Sequence, residues 1–289
     1  MKEFIEEQNI DLKKYNTYKI GGTAKYLIKP KNPFDLKSIF DELNKENIPY
    51  LILGGGSNVI LPDEDFNGAI IKLDNFNDIS FKDDYCFAGA GISLNQLIKT
   101  YLDNNFVNLS KLYGIPGTLG GAIRGNAGCY NDEIFNHIKS VLVYDDGYIK
   151  FISKENISYT YRDTSFKHNN MIILGAILYT KIGDANKEIC EIKERFKERI
   201  NKQPLEYPNA GSVFKNPSGV SAGKLIEDCG LKGYQIGGAK VSNKHANFII
   251  NYEFAKSSDI ISLIEKIKEE VKIKKNIELE LEQVVIKWW

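Results

Sequence analysis

Two glycine-rich segments constrain this chain more than any other feature of its sequence: GGGSNVIL (Gly54–Leu61) and GIPGTLGGAIRGNAG (Gly114–Gly128). Each of them follows an apolar stretch. Because glycine has no Cβ, its backbone can approach a phosphate closely and can adopt positive φ. Clustered backbone N–H groups bind anions of this kind. The two segments therefore predict a pyrophosphate site for a dinucleotide-type cofactor.

The first segment predicts a phosphate-binding loop, and a tight turn between strands is the alternative. No Gly-Lys-Ser/Thr follows, so the loop is not a P-loop. The other candidate, Gly89-Ala90-Gly91, has Leu94 where a Rossmann fingerprint carries its third glycine. The expected donors of the first segment are Gly54, Gly55, Gly56, Ser57 and Asn58.

The second segment is longer and mixes glycines with apolar residues. This composition favours a backbone that packs against a large flat ligand, whereas a purely structural omega-type loop is the alternative. The positions expected to contact the cofactor are Gly114, Gly117, Thr118, Gly121 and Asn126.

The length of 289 residues favours two domains. Because 38 basic residues balance 38 acidic ones, the charge gives no reason to expect nucleic acid or an anionic membrane as partner. The N-terminus has no signal-peptide core and no stretch could span a bilayer, so we expect a cytoplasmic protein. A small-molecule substrate and a monomeric state are expected.

Cysteine and histidine spacing argues against a metal site. The four cysteines form no CxxC pair and the three histidines form no HExxH, so neither a zinc site nor a disulfide framework is expected. We expect buried, reduced thiols at Cys86, Cys129, Cys190 and Cys229.

Hydrophobic periodicity predicts helices over residues 33–47, 94–102, 187–202 and 221–229, and a helix with an N-cap among Ser257, Ser258 and Asp259. Strands are expected at Tyr50–Leu53, Ala69–Leu73, Val141–Tyr144, Ile149–Ile152, Met171–Thr180, Phe248–Asn251 and Ile277–Ile286. The pattern changes near residue 184, which predicts domains over residues 1–183 and 184–289.

Longer motifs resemble one family. Both glycine segments, NTYKIGGTA (Asn16–Ala24), YRDTSFK (Tyr161–Lys167), QPLEYPNAGSVFKNP (Gln203–Pro217) and AGKLIEDCGLKGYQIGGAKVSNKHANFIIN (Ala222–Asn251) are similar to those of the UDP-N-acetylenolpyruvoylglucosamine reductase family (MurB). The order of the motifs is also that of the family, and the length resembles its shorter class.

This resemblance implies an α+β fold: an FAD-binding domain of the vanillyl-alcohol-oxidase (PCMH) type, followed by a smaller α+β substrate-binding domain. It also implies non-covalent FAD, with NADPH as the source of hydride. The implied activity is that of a UDP-N-acetylmuramate dehydrogenase, which reduces UDP-N-acetylglucosamine enolpyruvate to UDP-N-acetylmuramate for peptidoglycan synthesis and cell wall biogenesis.

The resemblance also assigns catalytic roles. Ser212 corresponds to the family's proton donor and Arg162 to its enolate-stabilising arginine. The catalytic glutamate lies in a C-terminal Leu-Glu-Pro-Glu-Val run, which here reads Leu279-Glu280-Leu281-Glu282-Gln283-Val284. We align Glu282 with it, and Glu280 stays an alternative because strand alternation puts both on one face.

Further candidates are expected to bind the UDP part of the substrate: Tyr161, Lys215, Asn216 and His245. Arg124-Gly125 departs from the bulkier apolar residues of relatives and leaves the shape of the flavin pocket open. Two other functions stay open at this point, an FAD oxidase or dehydrogenase of the same fold and a nucleotide-sugar binding module without catalysis.

Overall fold

The computed structural model describes residues 3–288, in which helices and short strands alternate. The α-helices are α1 (Asp35–Lys45), α2 (Leu94–Asp103), α3 (Leu119–Gly125), α4 (Ala185–Lys202), α5 (Ala222–Asp228) and α6 (Ser257–Lys275). Short 3₁₀ turns cover Leu12–Tyr15, Ser110–Leu112, Ile134–Asn136, Lys154–Asn156 and Ser165–Lys167.

The strands are mostly short. They are β1 (Ile5–Asp11), β2 (Thr23–Ile28), β3 (Tyr50–Ile52), β4 (Val59–Ile60), β5 (Phe66–Ile71), β6 (Ile79–Lys82), β7 (Tyr85–Gly89), β8 (Gly128–Cys129), β9 (Asp132–Glu133), β10 (Ile138–Asp145), β11 (Tyr148–Ser153), β12 (Tyr159–Thr160), β13 (Asp163–Thr164), β14 (Ile172–Tyr179), β15 (Gln235–Ile236), β16 (Ala239–Val241), β17 (Ile249–Asn251) and β18 (Val284–Val285).

The chain divides into two compact units. Unit 1 contains the described residues of Met1–Gln8, together with Tyr26–Gly55 and Gly68–Phe196. Unit 2 contains Asn9–Lys25, Gly56–Asn67 and the described residues from Lys197 onward. Unit 2 therefore joins two N-terminal segments to the C-terminal third. The predicted boundary near residue 184 separates an FAD-binding domain from a substrate-binding domain. It describes function rather than these compact units, and it stays a prediction.

An antiparallel five-stranded sheet in the order β11-β10-β14-β7-β6 forms the centre of unit 1. Its alternating side chains enter two cores. Val141 and Val143 of β10 belong to the core shared with α2 and α3, whereas Leu142 and Tyr144 contribute to the core shared with α1. Both sheet faces are thus covered, as the period-two alternation of a strand permits.

A second sheet has the strand order β1-β2-β5-β3, and its β3 and β5 are parallel, with Tyr50 opposite Ala69. In unit 2, β15, β16 and β17 form an antiparallel sheet, and β4 pairs with β18 in parallel. Helices α5 and α6 bury their apolar sides in a single core that also holds Tyr18 and Val213.

Local sequence signals located most helices well. Helix α2 begins as predicted, because Ser93 Oγ accepts from the Gln96 N–H at 3.1 Å, and Leu94, Leu97 and Ile98 are buried. Helix α1 starts at Asp35, two residues beyond the predicted Pro33. No helix within residues 3–288 is long and apolar enough to cross a membrane.

Two expectations, for the C-terminal strand and for the thiols, were wrong. Ile277–Ile286 is not one continuous strand: only Val284–Val285 form a strand, and Leu281 makes an isolated bridge to Phe214. The reason is that the segment pairs with two different partners along its length. Buried thiols were expected throughout, yet Cys190 is exposed and Cys129 is half-buried. Cys190 lies on the solvent side of α4, whose buried residues are Ala185 and Ile192.

The N-terminus of α6 receives its cap from a distant loop. The Asp63 carboxylate accepts from the N–H of Ser257 at 2.7 Å and from that of Ser258 at 3.0 Å. Asp259 accepts from the Lys256 N–H at 3.0 Å. The N-cap is therefore Lys256, so the prediction of an N-cap among Ser257, Ser258 and Asp259 was wrong, and Asp63 satisfies two of the N–H groups that the first turn leaves free.

We expect Asp63→Ala to lower the free energy of unfolding by about 1–2 kcal/mol, because two helix N–H groups and the Ser258 hydroxyl lose their acceptor. Asp63→Asn should lose less, since one amide oxygen remains. Chemical denaturation measures the difference, with the exposed neighbour Glu64→Ala as control. Equal stability of Asp63→Ala and the parent chain would contradict the capping role.

Candidate functional site

In unit 1, the two glycine segments touch through their backbones. A Cβ on Gly54 would lie 2.9 Å from Thr118 Oγ1, and a Cβ on Gly55 would lie 2.7 Å from the Cα of Gly117. Real Cβ atoms do not come this close to backbone. Glycine is therefore required at Gly55 for contact with the second segment rather than for a turn.

This contact gathers backbone donors. Within residues 3–288, the N–H groups of Gly54, Gly55, Gly117 and Thr118 have no hydrogen-bond acceptor. All four residues are at least partly accessible. A cluster of unpaired, accessible N–H groups is a binding site for anionic oxygens. The expectation that both segments present amides to one anion thus has a geometric basis in unit 1.

The second segment is only partly a loop. Leu119–Gly125 form helix α3, and Thr118 is its N-cap, with Oγ1 accepting from the Gly121 N–H at 3.3 Å. The Gly114 N–H donates to Asn95 Oδ1 at 2.6 Å. The amides of Gly114 and Gly121 are therefore engaged within the protein.

Lys72 is a part of this site that the sequence analysis missed. Its side chain is largely buried, and Nζ donates to the Gly54 carbonyl at 2.8 Å and lies 3.3 Å from Asp74 Oδ1. Lys72 fixes the orientation of the Gly54 peptide and brings a positive charge close to the first segment. In the sequence, only the position of Lys72 directly after β5 could have indicated its role, because a single lysine belongs to no recognisable sequence motif.

Arg162 and Asn126 meet at the C-terminal end of α3. Arg162 donates to the backbone carbonyls of Asn126 and Gly128, and its guanidinium lies 4.9 Å from the centroid of the exposed Tyr161 ring. Its backbone has a φ of 60°, a conformation that costs a non-glycine residue about 1–2 kcal/mol. Lys167 Nζ donates to the Arg162 carbonyl at 2.6 Å and helps to hold this conformation.

Asn126 is fully buried, and half of its amide is satisfied. Nδ2 donates to the Thr160 carbonyl at 2.9 Å, whereas Oδ1 has no partner within the described residues. A buried acceptor without a donor costs about 1–3 kcal/mol. This oxygen therefore indicates a place where a bound group or a water molecule supplies a hydrogen.

The rest of the first segment belongs to unit 2. A Cβ on Gly56 would lie 2.1 Å from the Tyr15 carbonyl oxygen, so this position also requires glycine. Ser57 is half-buried. Asn58 joins the segment to the C-terminus: its Nδ2 donates to the Glu282 carbonyl at 3.1 Å, and its own carbonyl accepts from the Val284 N–H at 3.0 Å.

The segment around Glu282 also pairs with the segment around Ser212. The Glu282 N–H donates to the Val213 carbonyl at 2.9 Å, and the Lys215 N–H donates to the Glu280 carbonyl at 2.9 Å. Ser212 and Glu282 thus lie on neighbouring extended segments of unit 2, both half-buried. Leu281 stands where the family has proline, and its N–H takes no part in this pairing.

The two candidate glutamates differ in environment. Glu280 is exposed and forms an ion pair with Lys215, with Oε1 2.6 Å from Nζ. Glu282 is half-buried beside the Ser212 segment. Glu280 thus has a surface lysine as its partner, and the choice of Glu282 as the catalytic glutamate stays a prediction.

Asn216 and His245 both contact the start of α5. Asn216 Oδ1 accepts from the Ala222 N–H at 3.0 Å, and the His245 ring packs near Gly223. His245 Nδ1 accepts from the Asn247 N–H at 3.2 Å. Burial lowers the pKa of His245, so the ring is neutral near pH 7 and carries its proton on Nε2.

Two family models match the chain. The model described as FAD binding domain matches residues 24–150. The model described as UDP-N-acetylenolpyruvoylglucosamine reductase, C-terminal domain, matches residues 203–286.

Similar proteins cover almost the whole chain. UDP-N-acetylenolpyruvoylglucosamine reductase from Clostridium tetani is 40% identical over 95% of this chain and 90% of its own length. The reductase of the same name from Thermotoga sp. (strain RQ2) is 39% identical over 95% and 91%. A crystal structure of UDP-N-acetylenolpyruvylglucosamine reductase (MurB) from Thermus caldophilus superposes with a TM-score of 0.82 at 30% identity, covering 99% of this chain and 100% of that one.

These matches confirm the fold class, an FAD-binding domain of the vanillyl-alcohol-oxidase (PCMH) type followed by a smaller α+β domain, and confirm FAD as cofactor. The structure fits this cofactor. FAD carries a pyrophosphate, for which the unpaired amides of unit 1 are suited, and the contact of Gly55 with Gly117 would be blocked by a single Cβ.

We expect Gly55→Ala to weaken FAD binding about tenfold to a hundredfold, because the added Cβ forces the two glycine segments apart. The ratio of absorbance at the flavin band to that of protein, measured after dialysis, reports the loss. Gly125→Ala is the matched control, since nothing lies within 4 Å of its Cβ. Full FAD occupancy of Gly55→Ala would contradict the assignment.

Proposed function

The chain belongs to the UDP-N-acetylenolpyruvoylglucosamine reductase family, and we propose that it uses NADPH to reduce UDP-N-acetylglucosamine enolpyruvate to UDP-N-acetylmuramate. It is an FAD-dependent oxidoreductase. The observation that carries the proposal is the backbone pairing that brings Ser212 and Glu282 onto neighbouring segments. An acid and a carboxyl group placed together suit the reduction of a carbon–carbon double bond.

The reaction adds two hydrogens across the enolpyruvyl double bond. The amides of Gly54, Gly55, Gly117 and Thr118 would hold the pyrophosphate of FAD, which in its reduced form would supply a hydride from N5 to one of the two carbons. Negative charge then develops on the substrate carboxylate, and a proton must reach the adjacent carbon. The chain itself must therefore provide a cation for the carboxylate and an acid for the carbon.

Arg162 is suited to the carboxylate because its planar guanidinium offers two parallel donors and keeps its charge. Tyr161 and the carbonyls of Asn126 and Gly128 restrict the orientation of its side chain. We assign to Arg162 the stabilisation of the developing enolate. Glu282 is the second residue to which we assign enolate stabilisation.

Ser212 is the proton donor in this proposal. A serine hydroxyl is a weak acid, so its contribution depends on exact placement next to the acceptor carbon and on stabilisation of the resulting charge. No protein group within residues 3–288 accepts a hydrogen bond from Ser212 Oγ. The hydroxyl therefore remains available to a substrate.

Four further residues are proposed to bind the UDP part. Lys215 offers a cation to the diphosphate, and the exposed Tyr161 offers a ring for stacking. Asn216 retains its Nδ2 donors after Oδ1 has bound Ala222. His245 offers an Nε2–H donor because its Nδ1 is occupied by the Asn247 N–H.

The balance of 38 basic and 38 acidic residues supports a protein that binds neither nucleic acid nor an anionic membrane, and the proposed state is also cytoplasmic and monomeric. We propose this state for the chain. Light scattering after size-exclusion chromatography tests the monomer directly.

The spectrum of the purified protein is the first test. Acid treatment of one sample should release the bound FAD as free flavin. In a second, native sample without oxygen, NADPH should bleach the flavin absorbance, and the enolpyruvyl substrate should restore that absorbance. Restoration by an alcohol or hydroxy acid instead would favour an oxidase or dehydrogenase of this fold. Tight UDP-sugar binding without any restoration would favour a binding module.

We expect Ser212→Ala to accept electrons from NADPH at the normal rate while its reoxidation by the enolpyruvyl substrate falls about 10²- to 10⁴-fold, the usual contribution of a positioned acid. Stopped-flow absorbance separates the two half-reactions. The exposed Ser218→Ala is the matched control. Normal reoxidation in Ser212→Ala would refute the role of the hydroxyl.

Glutamine substitutions decide between the two glutamates. Glu282→Gln should lower kcat about 10²-fold or more, because the variant loses the carboxyl group to which we assign part of the enolate stabilisation. Glu280→Gln should leave kcat within about threefold and raise KM modestly, since Lys215 loses only a surface partner. Steady-state kinetics with both variants measure this split, and the reverse ranking would reassign the catalytic carboxyl to Glu280.

A further inference from the structure

A buried polar chain runs beneath the Ser212 segment in unit 2. Tyr18 is fully buried and Gln283 is 3% exposed. The Tyr18 hydroxyl donates to Gln283 Oε1 at 3.0 Å, and Gln283 Nε2 donates to the carbonyls of Ala210 and Gly211, each at 3.2 Å. Every strong donor and acceptor of the Gln283 amide group is thus used.

The two carbonyls fix which way the amide points. Because backbone carbonyls can only accept, Nε2 must face Ala210 and Gly211, and Oε1 must face Tyr18. Burial keeps the Tyr18 hydroxyl protonated by raising its pKa, so it remains a donor. The chain of hydrogen bonds therefore has one direction, from Tyr18 through Gln283 to the backbone that precedes Ser212.

The backbone around Ser212 is held on both sides. Before it, Gly211 has a φ of 76° and donates its N–H to Asn209 Oδ1 at 3.0 Å. After it, the Val213 N–H donates to the Asn247 carbonyl at 2.9 Å. The carbonyl groups of Ala210 and Gly211 have Gln283 as their described partner. The direction of the Ser212 hydroxyl thus depends on a peptide group that Gln283 orients.

Tyr18 is itself rigidly placed. Asn251 Nδ2 donates to its carbonyl at 2.9 Å, and Asn16, two residues earlier, binds the carbonyls of Leu12 and Ile20 at 2.7 and 2.8 Å. Both Asn16 and Tyr18 belong to the NTYKIGGTA motif, to which the proposed reaction assigns no other role. Gln283 stands at one of the two positions where the C-terminal run departs from the family pattern.

We propose that Tyr18 and Gln283 form a buried positioning pair that sets the orientation of Ser212 for proton donation. This inference rests on the proposed function, in which Ser212 supplies the proton. Neither residue touches the substrate. They act through the peptide group between Gly211 and Ser212. The extended segment that carries Glu282 thus also carries Gln283, which positions Ser212.

The test compares half-reactions in Tyr18→Phe and Gln283→Met. Gln283→Met removes both donors to the backbone, and we expect reoxidation by the enolpyruvyl substrate to fall about 10- to 100-fold, the effect of a misplaced catalytic group. Tyr18→Phe leaves those donors in place and should lose less. Flavin reduction by NADPH and FAD content should stay at parent levels in both variants.

Two further readouts separate positioning from general destabilisation. Hydrogen exchange of a peptide that covers residues 209–214 should rise in both variants without added substrate. Tyr101→Phe is the matched control, because Tyr101 is a fully buried tyrosine of unit 1 whose hydroxyl donates to the Tyr179 carbonyl. It should change neither half-reaction.

The outcomes are distinct. If Ser212→Ala reoxidises normally, the proposed role of Ser212 fails and the positioning role fails with it. If Ser212→Ala is impaired while Gln283→Met and Tyr18→Phe stay within twofold of the parent, only the positioning pair is wrong. An equal fall of both half-reactions overturns it as well. In a Ser212→Ala background, Gln283→Met should add no further loss. Should Gln283→Met fail to fold, Tyr18→Phe decides alone.

Discussion

The hydrogen bonding of the extended segment Leu279–Ile286 is the constraint on which the proposed chemistry of unit 2 depends. Over this short distance its backbone pairs first with the Ser212 segment and then with β4, through the Glu282 and Val284 N–H groups. Inter-strand backbone bonds fix the separation of neighbouring chains near 4.8 Å. The backbones of Ser212 and Glu282 are therefore brought together by main-chain hydrogen bonds.

In unit 1 the corresponding constraint is steric. Gly55 and Gly117 approach so closely that no side chain fits between them, and the N–H groups left unpaired beside this contact are suited to an anion. The arrangement costs stability, because unpaired amides and glycine-rich backbone both oppose folding. Lys72 offsets part of this cost by binding the Gly54 carbonyl from a buried position.

The sequence predicted those features whose causes are local. Ser93 with Gln96 located the start of α2, whereas the anion site predicted from the glycine spacing stays a prediction. The sequence could not predict Asp63 as the cap of α6 or Tyr18 as the partner of Gln283, because these pairs lie 194 and 265 residues apart. Their side chains have no motif until the fold brings them together. The family resemblance implies roles for Ser212 and Arg162, but no local sequence pattern predicts the residues that hold these two side chains in place.

The C-terminal run differs from the Leu-Glu-Pro-Glu-Val pattern at Leu281 and Gln283, and the two differences have different structural consequences. At Leu281 the backbone N–H is not needed for pairing with Phe214, so a proline there would remove no hydrogen bond of the ladder. At Gln283 the side chain points into the core, where a polar amide is tolerated only if every hydrogen-bonding atom finds a partner. Tyr18 and the two carbonyls meet that requirement. A polar residue has thus entered a core position at which its hydrogen bonds reach the segment that carries Ser212.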